Sequence, residues 1–152
     1  MKFHGEKSYI RCLAHVINLV CKAILKELKA SSHKDAKRIL NRMAAEKTDV
    51  VLAADAQTAI VKLRLLIMWI LESTQRIDAF AEFSPDLKLD YDVDTRWNST
   101  FKMVTLGIRL RKPLVEIAVA TPALAALIIT EEEWLYLGEI YEVLEPFWDK
   151  TN

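Results

Sequence analysis

Cys12 and His15 are the first residues whose types and spacing could do chemistry, because a thiolate and an imidazole three residues apart can bind one zinc ion. Zinc takes four protein ligands, or three ligands and a water molecule. The remaining candidates, His4, Cys21 and His33, include no second compact pair. A buried cysteine beside a histidine that hydrogen-bonds a nearby carbonyl fits this count better. The sequence therefore predicts no metal site.

Four aspartates lie close together, at Asp86, Asp90, Asp92 and Asp94. Oxygen-rich loops of this kind hold hard cations, but this one lacks the glycine at the sixth position and the glutamate at the twelfth position of a calcium-binding loop. A solvated acidic loop fits the residues better. The chain also has no glycine-rich phosphate loop and no Gly-x-Ser-x-Gly nucleophile motif. The sequence therefore predicts no catalytic residue, no cofactor and no small-molecule substrate.

Arg96 and Trp97 are adjacent in an otherwise polar segment. A tryptophan in a loop can stack on an unpaired base while a neighbouring guanidinium contacts a phosphate. The alternative is that Trp97 folds back and anchors the loop on the core, and the residues alone lean towards it. The pair is thus a candidate DNA contact with a structural alternative.

The chain carries 21 basic and 21 acidic side chains, which excludes a uniformly basic nucleic-acid coat protein. Residues 1–47 carry 11 basic and 4 acidic side chains, whereas residues 131–152 carry 1 and 7. Charges of this kind usually form a solvated face, but the basic end could also meet phosphates. The candidate phosphate contacts are Lys22, Lys26, Lys29, Lys37 and Arg38. The oppositely charged ends also predict head-to-tail self-association.

The elements that must position these residues are helices. Three glycines in 152 residues, with no Asn-Gly or Asp-Gly pair, argue against hairpins. Apolar residues follow helical spacing instead. The first three predicted helices cover residues 15–29, a basic stretch after Ser31-Ser32, and a stretch that begins near Ala56, runs through Phe80 and is stopped by Ser84-Pro85. The others are a stretch capped by Asn98 or Ser99 and running to Leu110, a short segment from Pro122, and Thr130 to Pro146. The fold prediction is one mainly α domain of five to six helices over residues 1–152, with no membrane span.

Local signals refine three of these helices. The middle of the third, residues 65–71, is apolar on all sides and is expected to be central and buried. Pro113 should kink or restart the fourth helix. Thr130 precedes three glutamates, which predicts a capping box at the start of the last helix.

Four strings resemble, in order, signatures of hAT-superfamily (hobo/Activator-type) transposases. The first resembles RCxxHxxNL, at Arg11, Cys12, His15, Asn18 and Leu19. The next along the chain resembles KxR…SxxR, at Lys62, Arg64, Ser73 and Arg76. The third, residues 92–103, resembles DxxTRWNSTYxML and begins at Asp92; its signature residues are Asp94, Thr95, Arg96, Trp97, Asn98, Ser99 and Thr100. The fourth, residues 130–151, is similar to TEEEWxxLxxIxxxLxPFxxxT.

The resemblance implies a ribonuclease-H-like domain whose Asp-Asp-Glu triad binds divalent metal. It places the two aspartates upstream of the first string and the glutamate downstream of the last, so the triad is expected to lie outside this chain. It implies that residues 1–96 are a remnant of that domain, with one short strand near Tyr9–Leu13, and that residues 97–152 begin an all-α insertion. In the family, the tryptophan of the Arg-Trp pair is assigned to a flipped base at the transposon end. Arg96 and Trp97 are therefore the DNA contacts that the resemblance implies.

Together these observations predict a nuclear, transposase-derived protein, either a truncated fragment or a domesticated remnant, that is catalytically inactive and retains some DNA binding. Apolar faces exposed by a missing half would also favour dimers. The alternative is a non-catalytic helical module that binds protein partners or a second copy of itself and has no DNA role.

Overall fold

The computed structural model describes residues 13, 15–21, 23, 37–38, 40–41, 58–86, 89 and 97–151, with side chains up to residue 148. From residue 58 onwards the elements are α1 (Ala59–Leu71), α2 (Thr74–Phe83), α3 (Trp97–Arg109), α4 (Arg111–Ala120), the 3-10 helix η1 (Pro122–Leu127) and α5 (Glu131–Thr151). The described residues before Thr58 are helical as well. The prediction of a mainly α fold is confirmed.

Helix α1 lies at the centre of the described part of the chain, as its apolar middle predicted. Ten of its thirteen residues are buried, and it packs against α2, α3, α5 and η1. A helix that is apolar on all sides has no face suited to water, so neighbours must cover all of it. Thr58 caps its start, since the Thr58 hydroxyl accepts a hydrogen bond from the Val61 N–H.

The single helix predicted from Ala56 to Phe80 is wrong, because the structure divides it at Glu72 and Ser73. Ser73 is extended, with φ −135° and ψ 128°. The division follows a change of pattern, since α1 buries ten residues whereas α2 buries Phe80 alone. Arg76 holds the corner, because its guanidinium donates to the Trp69 carbonyl at 2.8 Å and lies 3.8 Å from the centre of the Trp69 ring.

Helix α3 begins at Trp97, so Asn98 and Ser99, the predicted caps, lie inside its first turn. Leu110 interrupts the helical run, and α4 restarts at Arg111 with Pro113 in its first turn. Proline is tolerated there because the first amides of a helix have no intrahelical acceptor. The predicted restart is confirmed.

The capping box at the start of α5 is confirmed. The Thr130 N–H donates to Glu133 Oε1 at 3.1 Å, and the Glu133 N–H donates to Thr130 Oγ1 at 3.2 Å. The predicted end at Pro146 is wrong, since α5 continues through Pro146 to Thr151. Phe147 and Trp148 pack against the core beyond the proline. Their burial offsets the backbone hydrogen bond that Pro146 cannot donate.

Some predictions fall on residues that the structure does not describe. Of the short strand expected near Tyr9–Leu13, only Leu13 is described, and it is helical. Most of the predicted acidic loop lies outside the described residues as well. The division at residue 96 stays a prediction, although helices from both sides of it share one hydrophobic core. Within the described residues, no helix is both long and apolar enough to cross a membrane.

Candidate nucleic-acid interface

Trp97 lies in the core at the start of α3, where it is 3% exposed. Its ring centre is 5.9 Å from that of Phe101 and 6.1 Å from that of Trp148, which meets it edge-on. Phe101 in turn stacks on Tyr141 at 5.5 Å. We call Trp97, Phe101, Tyr141 and Trp148 the aromatic cluster. A base can stack on Trp97 only if this side chain leaves the cluster, so base stacking stays a prediction. In the structure, Trp97 anchors the start of α3 on the hydrophobic core.

Three of the hAT-like strings meet at α1. Arg64, 5% exposed, donates to Thr100 Oγ1 at 3.1 Å and so joins the KxR string to the TRWNST string. Lys62 pairs with Glu133 Oε1 at 2.8 Å and so joins KxR to the capping box of α5. A buried charge needs such partners, because leaving it unpaired costs several kcal/mol. We call these two pairs and the aromatic cluster the seam.

The remaining predicted site residues are dispersed. Lys37 and Arg38 are exposed, whereas Lys22, Lys26, Lys29 and Arg96 lie outside the described residues. Four signature residues also lie outside the described part of the chain: Arg11, Cys12, Asp94 and Thr95. Of the others, two are exposed, His15 and Leu19, and three are half-buried, Asn18, Asn98 and Ser99. Cys21 is buried, and burial raises the pKa of its thiol. Among the described residues, no three His, Cys, Asp or Glu side chains are grouped as a metal site would require.

An open groove of about 610 Å³ lies at the joint between α3 and α4. Arg109, Arg111 and Lys112 contribute its positive charge, and Glu116 and Glu131 its negative charge. The Arg111 guanidinium donates to the Glu131 carboxylate, and its carbon lies 5.3 Å from the centre of the Trp134 ring. Arg111 is therefore held against one wall, and we call this feature the joint groove.

Sequence analysis did not single out the basic residues of the joint groove. A usable signal was present, since residues 95–115 contain Arg96, Lys102, Arg109, Arg111 and Lys112 but no carboxylate. The longer segment 48–112 is neutral in sum, which concealed this local excess. Lys102, Arg109 and Lys112 are exposed in the structure, so α3 and the start of α4 present positive charge to solvent.

Comparison with known families assigns the fold just described. The model of the ZBED1 RNase-like helical domain matches residues 10–143. The chain belongs to this family. The hAT-type resemblance drawn from the four strings is thereby confirmed, and three of the strings join α1, α3 and α5 within a ZBED1-type helical domain.

Two curated relatives agree with that assignment. The chain is 28% identical, over 95% of its length, to the proposed transcriptional regulator tpeD of Talaromyces stipitatus. It is 25% identical, over 97% of its length, to the proposed AC transposase of Zea mays. The chain spans only 17% and 16% of the length of these two relatives. No solved structure matches the chain.

Proposed function

We propose that this chain is a non-catalytic, DNA-contacting part of an hAT-transposase-derived nuclear protein. The observation that carries the proposal is the exposed positive charge along α3 and into α4, which follows directly on the Arg-Trp motif. Exposed Lys and Arg side chains bind DNA by neutralising phosphates and releasing their counterions. No catalytic step is assigned to these residues, because the resemblance places the metal-binding carboxylates outside the matched strings.

The energies involved favour a positioning role for Trp97. Stacking of one base on an aromatic side chain is worth about 1–3 kcal/mol. Removing a buried tryptophan side chain costs about 3–5 kcal/mol. One stacked base would therefore not repay the extraction of Trp97 from the aromatic cluster. In this proposal Trp97 fixes the first turn of α3, and the phosphate contacts fall to Arg96 and the exposed lysine and arginine side chains that follow.

The test is a gel-shift titration of the whole chain with duplex, hairpin and single-stranded DNA at low and high salt. We expect the chain to bind DNA at low salt and the affinity to fall steeply as salt rises. Absence of binding at low salt would contradict the proposed DNA contact. Trp97→Phe and Trp148→Phe form a matched pair, since both change one ring of the aromatic cluster. If Trp97 only positions α3, the two variants bind alike. A selective loss for Trp97→Phe, confined to DNA with unpaired bases, would show that Trp97 stacks.

A second candidate function is self-association without a DNA role. Helix α5 exposes Leu135 and Val143, 64% and 51% accessible, on a surface that also carries Glu139 and Glu142. Exposed apolar side chains at helical spacing favour a partner. Light scattering distinguishes the modes, because apolar association persists at high salt whereas charge pairing between the basic and acidic ends weakens. Leu135→Gln together with Val143→Gln should abolish the apolar mode.

A further inference from the structure

The joint groove is an open groove with exposed basic side chains, whereas Arg64 and Lys62 of the seam are already engaged by other side chains. Arg109 and Lys112 are exposed, and neither has an ion-pair partner among the described residues. Arg111 is already engaged by Glu131 and the Trp134 ring, so Glu131 is largely neutralised. Among the described residues, Arg109 and Lys112 thus lack an ion-pair partner, and Glu116 is the one carboxylate of the groove lining outside the Arg111–Glu131 pair. This excess of positive charge favours an anionic ligand that presents one negative charge to each cation.

The walls of the groove suit a sugar as well as a phosphate. Ile108, Val115 and Ile129 supply apolar surface beside the cations. The volume of about 610 Å³ lies within the range of about 300–1,000 Å³ that ligand sites occupy. The indole N–H of Trp134, in the same lining, is buried and has no hydrogen-bond partner among the described residues. Alternating apolar and charged surface is what a deoxyribose-phosphate chain presents to a protein.

We propose that the joint groove is a second DNA site, in which Arg109 and Lys112 contact successive phosphates and the apolar wall meets the deoxyribose. The inference rests on the proposed function, because it takes DNA as the ligand. Twelve residues separate Trp97 from Arg109 on α3, which is about 18 Å along the helix axis. One DNA strand advances that far in about five nucleotides at 3.4 Å each. A single DNA segment can therefore reach both the Arg-Trp motif and the groove.

The test follows the indole N–H signals of the four tryptophans by NMR while a short oligothymidylate is added to the whole chain. The Trp134 signal is expected to shift, while that of Trp69, at the α1–α2 corner, stays in place. Arg109→Gln with Lys112→Gln should abolish the Trp134 shift and lower the slope of log Kd against log salt by about 1.4. Lys102→Gln is the comparison, since Lys102 is an exposed lysine of α3 outside the groove lining. It removes one phosphate contact of the proposed function, so it should weaken binding but leave the Trp134 shift at saturating oligothymidylate unchanged.

Two outcomes would overturn the inference. If DNA still binds but the Trp134 signal does not move, the groove is not a DNA site and the proposed function stands without it. If an oligoglutamate of equal charge shifts Trp134 at a lower concentration than the oligothymidylate does, the groove takes an acidic protein segment instead. Unchanged circular dichroism of the double variant confirms that its loss of binding is not a loss of fold.

Discussion

The seam and the joint groove use the same residue types for opposite purposes. In the seam, Arg64 is buried against Thr100 and Lys62 is engaged by Glu133. In the groove, Arg109 and Lys112 are exposed beside apolar surface. The seam residues belong to the hAT-like strings, whereas the basic residues of the groove, Arg109, Arg111 and Lys112, belong to none. In the described residues, the strings therefore mark where α1 is joined to α3 and α5, and the charge available to a ligand lies elsewhere.

The difference has a physical cause. A charge taken out of water must be compensated by hydrogen bonds or an opposite charge. Removing either partner therefore leaves the other uncompensated and destabilises the fold. Changes in the seam should therefore lower the free energy of unfolding. Changes in the groove should alter binding and leave stability intact, and four predictions test this contrast.

The largest effect is expected at Trp97. Trp97→Ala should lower the free energy of unfolding by about 3–5 kcal/mol, because it removes a buried indole from the aromatic cluster. Urea denaturation followed by circular dichroism measures the change. Trp97→Phe retains most of the apolar surface and should cost clearly less. A loss below about 1 kcal/mol for the alanine variant would contradict the burial of this side chain.

Arg64 and Thr100 should show coupling of the next size. Thr100→Val removes the acceptor of a buried guanidinium and should cost about 1–3 kcal/mol. Replacing both partners, as Arg64→Met with Thr100→Val, removes the polar groups together. The double variant should therefore lose less than the sum of the two single variants. Strict additivity in urea denaturation would mean that the bond contributes nothing to the seam.

Gly107 of α3 and Gly138 of α5 differ in the space available for an added side chain. A Cβ at Gly107 would lie 2.6 Å from a Leu63 methyl carbon in the core, whereas one at Gly138 meets nothing within 4 Å. Gly138→Ala should stabilise α5 by up to about 1 kcal/mol through helix propensity. Gly107→Ala gains the same propensity but overpacks the α1–α3 contact, which costs about 1–3 kcal/mol. Thermal unfolding should therefore move in opposite directions for the two variants.

Sequence reasoning predicted those elements whose signals are local. The capping box at Thr130, the restart near Pro113 and the buried middle of α1 each depend on residues within a few positions of one another. The corner at Ser73 and the continuation past Pro146 depend on distant contacts, since Trp148 gains its burial from Trp97 and Phe101. A pattern within one helix does not contain that information.

The same limit applied to the candidate site. Trp97 and Arg96 were singled out for their types, but burial of Trp97 depends on Trp148, more than 50 residues along the chain. The joint groove was missed because its walls come from three elements, α3, α4 and α5, together with the segment at Ile129. Its local excess of positive charge was visible in the sequence, whereas its shape was not.

The smallest change in stability is expected in the joint groove. Arg109→Gln with Lys112→Gln should alter the free energy of unfolding by no more than about 0.5 kcal/mol, because both side chains are exposed and neither has an ion-pair partner in the described part of the chain. Arg111→Gln breaks an exposed ion pair and should cost about 0.2–1 kcal/mol, with the cost falling as salt rises. Urea denaturation at low and high salt measures both. If the double variant unfolded as readily as Thr100→Val, these cations would support the fold in the way the seam does, and the contrast between the two regions would fail.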